Sequence, residues 1–258
     1  MKIAVCVKHV PEGPSRLDPS SKRLDRSGEG ALNHFDANAI EEALRLKGDS
    51  DTDVVAVSLG PQKALDSLRK ALAMGADRAV LVSDDAAAGS DLVATSRLLA
   101  AALAKEEADL VLFGQQASDA DGAVLWAAVA ERLARPVVSQ AMELSVDGGS
   151  VRVKRQTEFG YDTLEAPLPA VVAVSDAINE PRYPSLKAIM GAKKKQLDAR
   201  TSGDVGIDAS KVGGDGSAVQ CGDFKAPPQK AGGTIIEDED TNETVEKIVA
   251  WLDERKLI

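Results

Sequence analysis

The sequence is poor in the residues that usually announce chemistry. Of its 258 residues, two are cysteine and two are histidine. Cys6 and Cys221 are too few for a disulfide framework or a cysteine-built metal site, and neither His9 nor His34 has cysteines at ligand spacing nearby. No GxSxG, HExxH, Walker A or CxxC pattern occurs, so nothing points to covalent or metal catalysis. Aromatics make up only 3 %, so the core has to be built from Ala, Val and Leu. No apolar run approaches the length of a membrane span. The opening "MKIAVCVKHV" breaks at Lys8 without a small-residue cleavage site, so it reads as a strand rather than a signal peptide, and a cytoplasmic location is the expectation. Basic residues are in deficit, 31 against 41 acids for a net charge of −10, which argues against nucleic acid as a partner.

What is present is a regular alternation. "KIAVCVK" (2–8), "DVVAVSLG" (53–60), "RAVLVSD" (78–84) and "DLVLFG" (109–114) are short and apolar on both faces, as central parallel strands are. Helical patterns lie between them. Ala39, Ile40, Ala43 and Leu44 form one apolar face, and Leu65, Leu68 and Leu72 form another. The second helix should end at Met74, with Gly75 as the left-handed residue beyond it. Ser90–Asp91 is a cap signal for a third helix running to Lys105. A fourth, over 122–133, is apolar nearly all round and should be buried on most sides. Strand alternating with helix implies an α/β fold, a doubly wound and mostly parallel Rossmann-like sheet.

From about residue 140 the period changes to two, interrupted at Asp147-Gly148-Gly149 and Phe159-Gly160, so antiparallel additions to the sheet are expected. The segment 181–197 is basic, and 198–240 is rich in Gly, Asp, Pro and Ser with little periodicity. It reads as an extended arm that lies on another surface or stays mobile. The last stretch, 241–258, recovers helical order, with Val245, Ile248, Val249 and Leu252 on one face and Thr241 or Asn242 as its cap. An arm ending in such a helix fits docking on a partner chain or on the chain itself. The expected division is therefore 1–180, 181–197, 198–240 and 241–258.

In a doubly wound sheet, ligands lie outside the carboxyl ends of the strands. The loop "FGQQASDADG" is the most informative of these ends. Gly114, Asp119 and Asp121 lead into a helix expected near Gly122, whose free N–H groups can hold a phosphate; the same residues also suit plain helix capping. The loop over 9–35 is long and contains a small hairpin in "RLDPSSKRLDRSGEG". It ends at His34, Phe35 and Asp36, where Phe35 fits either a staple on the first helical turn or a flat ring packed against it.

"VCVKHVPE", "NHFDANAIEEALRLK", "ALAMGADRAVLVSD", "DLVLFGQQASDADG", "LPAVVAV" and "INEPRYPSLKAIMGAKKK" together resemble the β subunit of electron-transfer flavoproteins, over roughly residues 1–208. The resemblance implies an adenine-nucleotide-binding α/β domain, an α subunit as partner, and an FAD held mainly by that α subunit. It further implies an AMP of structural role, electron donation by flavin dehydrogenases of the acyl-CoA type in fatty acid oxidation, and delivery to a quinone reductase, with no substrate turnover by this chain and no membrane insertion. AMP contacts fall on Cys6, Asn33, His34, Phe35, Asp36 and Leu59, and on Asp119, Asp121, Gly122, Ala123 and Val124. Phe35 matches an aromatic beside the flavin. The chain departs from the family at the helix start, where "DADGAVLWAAVAE" replaces a pattern like D-G-D-T-x-Q-V-G-P and removes the side-chain phosphate donors.

Between Asn179 and Gln196 the charge inverts: Arg182, Lys187, Lys193, Lys194 and Lys195 stand against Glu180 alone. Pro181 and Pro184 stiffen the entry and keep the segment out of the sheet. Leu186, Ile189 and Met190 fall on one face of a short helix, which suits satellite packing or an interface. The resemblance makes this segment the dehydrogenase docking loop, using Arg182, Tyr183, Leu186, Ile189 and Met190, with Leu186 as the anchor. Two other readings remain beside it: a solitary universal-stress-type adenine-nucleotide-binding protein, and the β subunit of an electron-bifurcating flavoprotein with a second FAD in place of AMP.

Overall fold

The computed structural model describes residues 1–13, 16–224, 232–233, 235–236 and 240–258. They form two units, Met1–Cys221 and Gly222–Ile258. In the first, β1 (Lys2–Cys6) is followed by short strands β2 (His9–Pro11), β3 (Leu17–Asp18), β4 (Arg23–Leu24) and β5 (Gly30–Leu32). Next come α1 (His34–Lys47), β6 (Asp53–Leu59), α2 (Leu65–Met74), β7 (Arg78–Val82), α3 (Leu92–Glu106), β8 (Leu110–Gly114) and α4 (Leu125–Leu133). The chain continues through β9 (Val137–Asp147), β10 (Ser150–Thr157), β11 (Gly160–Pro167), β12 (Ala170–Val174), α5 (Leu186–Ala192) and β13 (Leu197–Arg200). The second unit contains α6 (Thr241–Glu254).

Nine strands make one sheet in the order β11-β10-β9-β12-β8-β1-β6-β7-β13. Pairing is parallel from β9 to β13, as in Ala4↔Val55 and Ala4↔Val111, and antiparallel for β9-β10-β11. Alternate residues of the central strands serve opposite layers. Ile3, Val5 and Leu112 pack with Ile40, Leu68 and Leu72 of α1 and α2. Ala4, Val57, Val111 and Phe113 pack with Leu99, Leu103 and Val129 of α3 and α4. Burial on both faces explains why these strands are apolar throughout. Truncating a fully buried member such as Leu112 to Ala costs about 2–5 kcal/mol.

The expected cap at Asp91 is present, accepting from the Ala94 N–H at 2.8 Å, and Gly75 follows α2 at φ 144°. Gly148 and Gly149, at φ 56° and 86°, close the β9–β10 hairpin with the left-handed pair that a tight turn needs. Four expectations need correction. Helix α4 begins at Leu125 rather than near Gly122, because Asp121 and Ala123 take φ 44° and 45°, values no right-handed helix can include. Only Val129 and Ala130 of α4 are buried; the helix covers α3 and β12 with one side, and its small alanines tolerate water on the other.

The third concerns the arm. Residues 197–200 complete the sheet as its edge strand beside β7, and the stretch after them is held down by two aspartates. Asp84 accepts from the Ser202 N–H at 3.0 Å, and Asp91 accepts from the N–H groups of Ala218 and Val219 at 2.7 and 2.9 Å. Backbone pairing of this kind leaves no periodicity in composition. Of the expected arm, 225–231, 234 and 237–239 lie outside the described residues. Fourth, α6 is capped by Asp240, which accepts from the Asn242 N–H at 2.7 Å, while Val245, Ile248 and Val249 of its apolar face are exposed.

Candidate functional site

From β1 the chain builds outward through β6 and β7, then crosses to β8 on the other side. The strand order reverses there, so the crevice lies at the carboxyl ends of β1 and β8. The structure gathers Cys6, Asn33, Phe35, Asp36 and Asp119 around it. Asp36, in the first turn of α1, is buried and accepts from the Lys8 N–H at 2.7 Å. Burial pushes its carboxyl up to about 7, although the Lys8 N–H, the Asn33 side chain and the Gly114 N–H all favour the charged form. A Cβ at Gly114 would lie 2.5 Å from Asp36 Oδ1 and 2.6 Å from the backbone of Phe35, so only glycine lets β8 end against α1. Burial, and after it the Asp36 carboxylate, pushes the Cys6 thiol up, which keeps it an inert packing group rather than a nucleophile.

Asn33 caps no backbone N–H of its own helix with its side chain, which reaches across the crevice. Its Nδ2 donates to the Gln116 carbonyl at 2.8 Å and its Oδ1 accepts from the Ser118 N–H at 3.3 Å. Asp119 is paired with Lys8 Nζ at 2.7 Å and with the Arg26 guanidinium, and its side chain is 1 % exposed. Burial would raise this carboxyl, but the two cations outweigh it and hold it below the usual range. Asp119 is thus already engaged within the chain. The Gln115 carbonyl accepts from Trp126 Nε1 at 3.1 Å, and the Gln115 side chain accepts from the Gln140 N–H at 2.8 Å. Beyond this bolted stretch, Asp121, Gly122 and Val124 are exposed and Ala123 is half-buried. The backbone N–H groups of Gly122 to Trp126 reach no acceptor among the described residues. The left-handed φ of Asp121 and Ala123 bends this backbone sharply just before α4, and free N–H groups at a helix start suit an anion. The backbone donors for a phosphate are therefore present where the side-chain donors are missing. Leu59 ends β6, two strands from β8. Phe35 is nearly buried, with the exposed His34 ring 4.1 Å away.

The basic segment is held one to two turns further along α1. Asn38 Nδ2 donates to the Asn179 carbonyl at 2.8 Å, and Asn179 Nδ2 returns a bond to the Asn38 carbonyl at 3.0 Å. Arg182 grips Glu41 in a fork, Nε to Oε2 at 2.7 Å and Nη2 to Oε1 at 3.0 Å. Burial works against the Glu41 charge, yet Arg182 holds its carboxyl below the usual range. Ser185 caps α5 by accepting from the Ala188 N–H at 3.2 Å. At the far end, Lys195 Nζ donates to the carbonyls of Leu72 and Ala76 at 3.1 and 2.6 Å, closing the C-terminus of α2. Two of the five cations are therefore internal clamps. Lys187, Lys193 and Lys194 stay exposed without an ion pair among the described residues. Between the clamps stand Tyr183 at 97 %, Leu186 at 81 % and Met190 at 71 % exposure, with Ile189 also exposed.

The electron transfer flavoprotein domain profile matches residues 22–204. The chain belongs to that family. It is similar along its whole length to β subunits in particular. The electron transfer flavoprotein subunit beta of Megasphaera elsdenii is 37 % identical over 270 residues, with 100 % of both chains covered. That of Mycobacterium leprae is 39 % identical over 267 residues, with 99 % of both covered. A third relative, the caffeyl-CoA reductase-Etf complex subunit CarD of Acetobacterium woodii, is 37 % identical over 262 residues with 100 % of both covered. This electron transfer flavoprotein β chain contains a doubly wound sheet with antiparallel additions, as the motifs implied. Family membership decides against the solitary universal-stress reading.

Lys8, Arg26, Asn38, Glu41 and Asn179 were not among the residues singled out from sequence. Lys8 had a signal, a charge placed directly after an apolar strand at the sheet's carboxyl edge. Arg26 and Glu41 had none, since their partners lie 93 and 141 residues away.

Proposed function

We propose that this electron transfer flavoprotein β chain pairs with an α subunit, takes electrons from flavin dehydrogenases of the acyl-CoA type and passes them toward a quinone reductase. It works as a carrier without substrate turnover of its own, in the cytoplasm. The observation that carries the reading is the apolar crest of α5, exposed in water while both of its ends are clamped to α1 and α2. Such a crest limits the ordering cost of docking. Lys187, Lys193 and Lys194 steer an acidic partner. Leu186 then enters an apolar pocket, contributing about 1.5–3 kcal/mol, which suits a partner that must leave quickly.

FAD, held mainly by the α subunit, supplies the uptake and release of electrons. The β chain's part is to present the donor's docking surface and to set Phe35 beside the flavin. AMP has a structural role at the crevice, with its phosphate on the N–H groups of Gly122 to Trp126. Cys6, Asn33 to Asp36 and Leu59 line the remainder of its path. The similarity to CarD, whose name places it in a reductase complex, favours one second reading, an electron-bifurcating complex with FAD in place of AMP. Flavin absorbance and nucleotide extraction of the purified complex separate them. One flavin and one AMP per heterodimer support the carrier; two flavins and no AMP establish the second reading.

A further inference from the structure

We propose that Arg26 is a positioning residue: through Asp119 it latches the loop over residues 22–30 across the switch-point crevice, so that nucleotide enters and leaves only when this latch opens. The inference rests on the nucleotide reading above. It starts from an anomaly of burial. Ser118 and Ala120 are exposed, yet the Asp119 side chain between them is 1 % exposed. Lys8 and Arg26 cover it, and a carboxylate taken out of water needs such partners.

Arg26 belongs to no element of the sheet. Its loop touches three different turns at the sheet's carboxyl edge. Arg26 holds Asp119 in the turn after β8. The Gly28 carbonyl accepts from Lys63 Nζ in the turn after β6. Arg23, in β4, packs against Gly89 in the turn after β7, leaving no room there for a Cβ. With β1 lying between β8 and β6, the loop crosses the ends of four neighbouring strands, where a ligand of this fold sits. The root of the loop is fixed by β2–β5 pairing and by His9 Nδ1 to Ser67 Oγ at 2.8 Å. Its tip is a two-residue ladder, β3 on β4, in which Leu17, Asp18 and Arg23 are not buried; such segments are the first to open.

The two cations on Asp119 have unequal freedom. The Lys8 N–H is bonded to Asp36, and its carbonyl accepts from the Asn33 N–H at 3.0 Å, so Lys8 is part of the crevice floor. Arg26 can withdraw and leave Asp119 still paired. The closed state is thus held by a half-exposed ion pair, and opening strands no buried charge.

The test uses the full heterodimer loaded with labelled AMP and chased with excess unlabelled AMP. Arg26→Ala should release label about tenfold faster than wild type, with Arg26→Lys in between. High salt should speed release from wild type but not from Arg26→Ala. Flavin content should be unchanged. Wild-type release from Arg26→Ala overturns the proposal, as does equal acceleration of both proteins by salt. If the wild-type complex neither carries nor takes up AMP, the nucleotide reading fails on its own. The latch is then read by amide hydrogen exchange over 16–30 and 117–124. Faster exchange in Arg26→Ala at unchanged flavin content supports it, and unchanged exchange overturns it.

Discussion

At its first turn α1 hides charge from water: Asp36 is buried there, beside the ion-paired and buried Asp119. One turn on and beyond, Asn38 and Glu41 of the same helix hold a segment whose leucine and methionine stand in solvent. The arrangements are opposite, but one rule governs both. A buried charge persists only where a partner is fixed, so the crevice floor is tied to Lys8, Asn33 and Gly114. Exposed hydrocarbon collapses onto any nearby apolar surface unless the backbone prevents it. Arg182 and Lys195 do so by clamping both ends of α5's segment. The crevice end is specified inwardly, and the crest is left for another molecule.

The sharpest way to break the comparison is to remove the buried charge. The folded pKa of Asp36, about 7, lies above an unfolded value of about 3.9. Folding takes up a proton between those values, so this group's contribution is fully present below about pH 4 and is lost as pH rises through about 7. Cys6 and Lys8 are titratable groups that interact with it. Urea unfolding should show a loss on the order of a few kcal/mol between about pH 4 and 7 from this source. Asp36→Asn should flatten that slope; an unchanged slope would place the titration elsewhere.

Next in size is the close approach at the strand end. Gly114→Ala drives a Cβ into Asp36 and the Phe35 backbone and should cost about 1–3 kcal/mol in unfolding experiments. The docking segment should respond through rate instead of stability. Leu186→Ala should keep fold and flavin content but slow electron uptake from the dehydrogenase by about tenfold or more. Wild-type uptake at every salt concentration would remove Leu186 as the anchor, and loss of fold would make it a packing residue. The smallest effect belongs to the clamp. Arg182→Ala leaves Glu41 with Arg45 at 3.3 Å, so stability should fall by only about 1 kcal/mol, while docking slows about threefold as the crest loses its fixed entry. A stability loss without any change in docking rate would separate the clamp from the crest.

The strands, most helices and the β9–β10–β11 additions were legible in the sequence because burial on two faces or one imposes a period on neighbouring residues. Gly75, Asp91 and Gly148-Gly149 were legible for a similar reason: a left-handed backbone or an orphan N–H restricts the residue at that position. The start of α4 was not, since Ala123 adopts a left-handed conformation that nothing in its residue type signals. Nor was β13, whose pairing with β7 uses backbone groups that every residue carries. The engagement of Asp119 by Arg26, and of Glu41 by Arg182, depends on residues 93 and 141 positions apart. Local chemistry sets period, caps and turns, and these the sequence by itself determined. Which charge meets which, and therefore which carboxylate is free to meet a ligand, was decided only by the tertiary structure, because Coulomb attraction acts through space and the fold sets those distances.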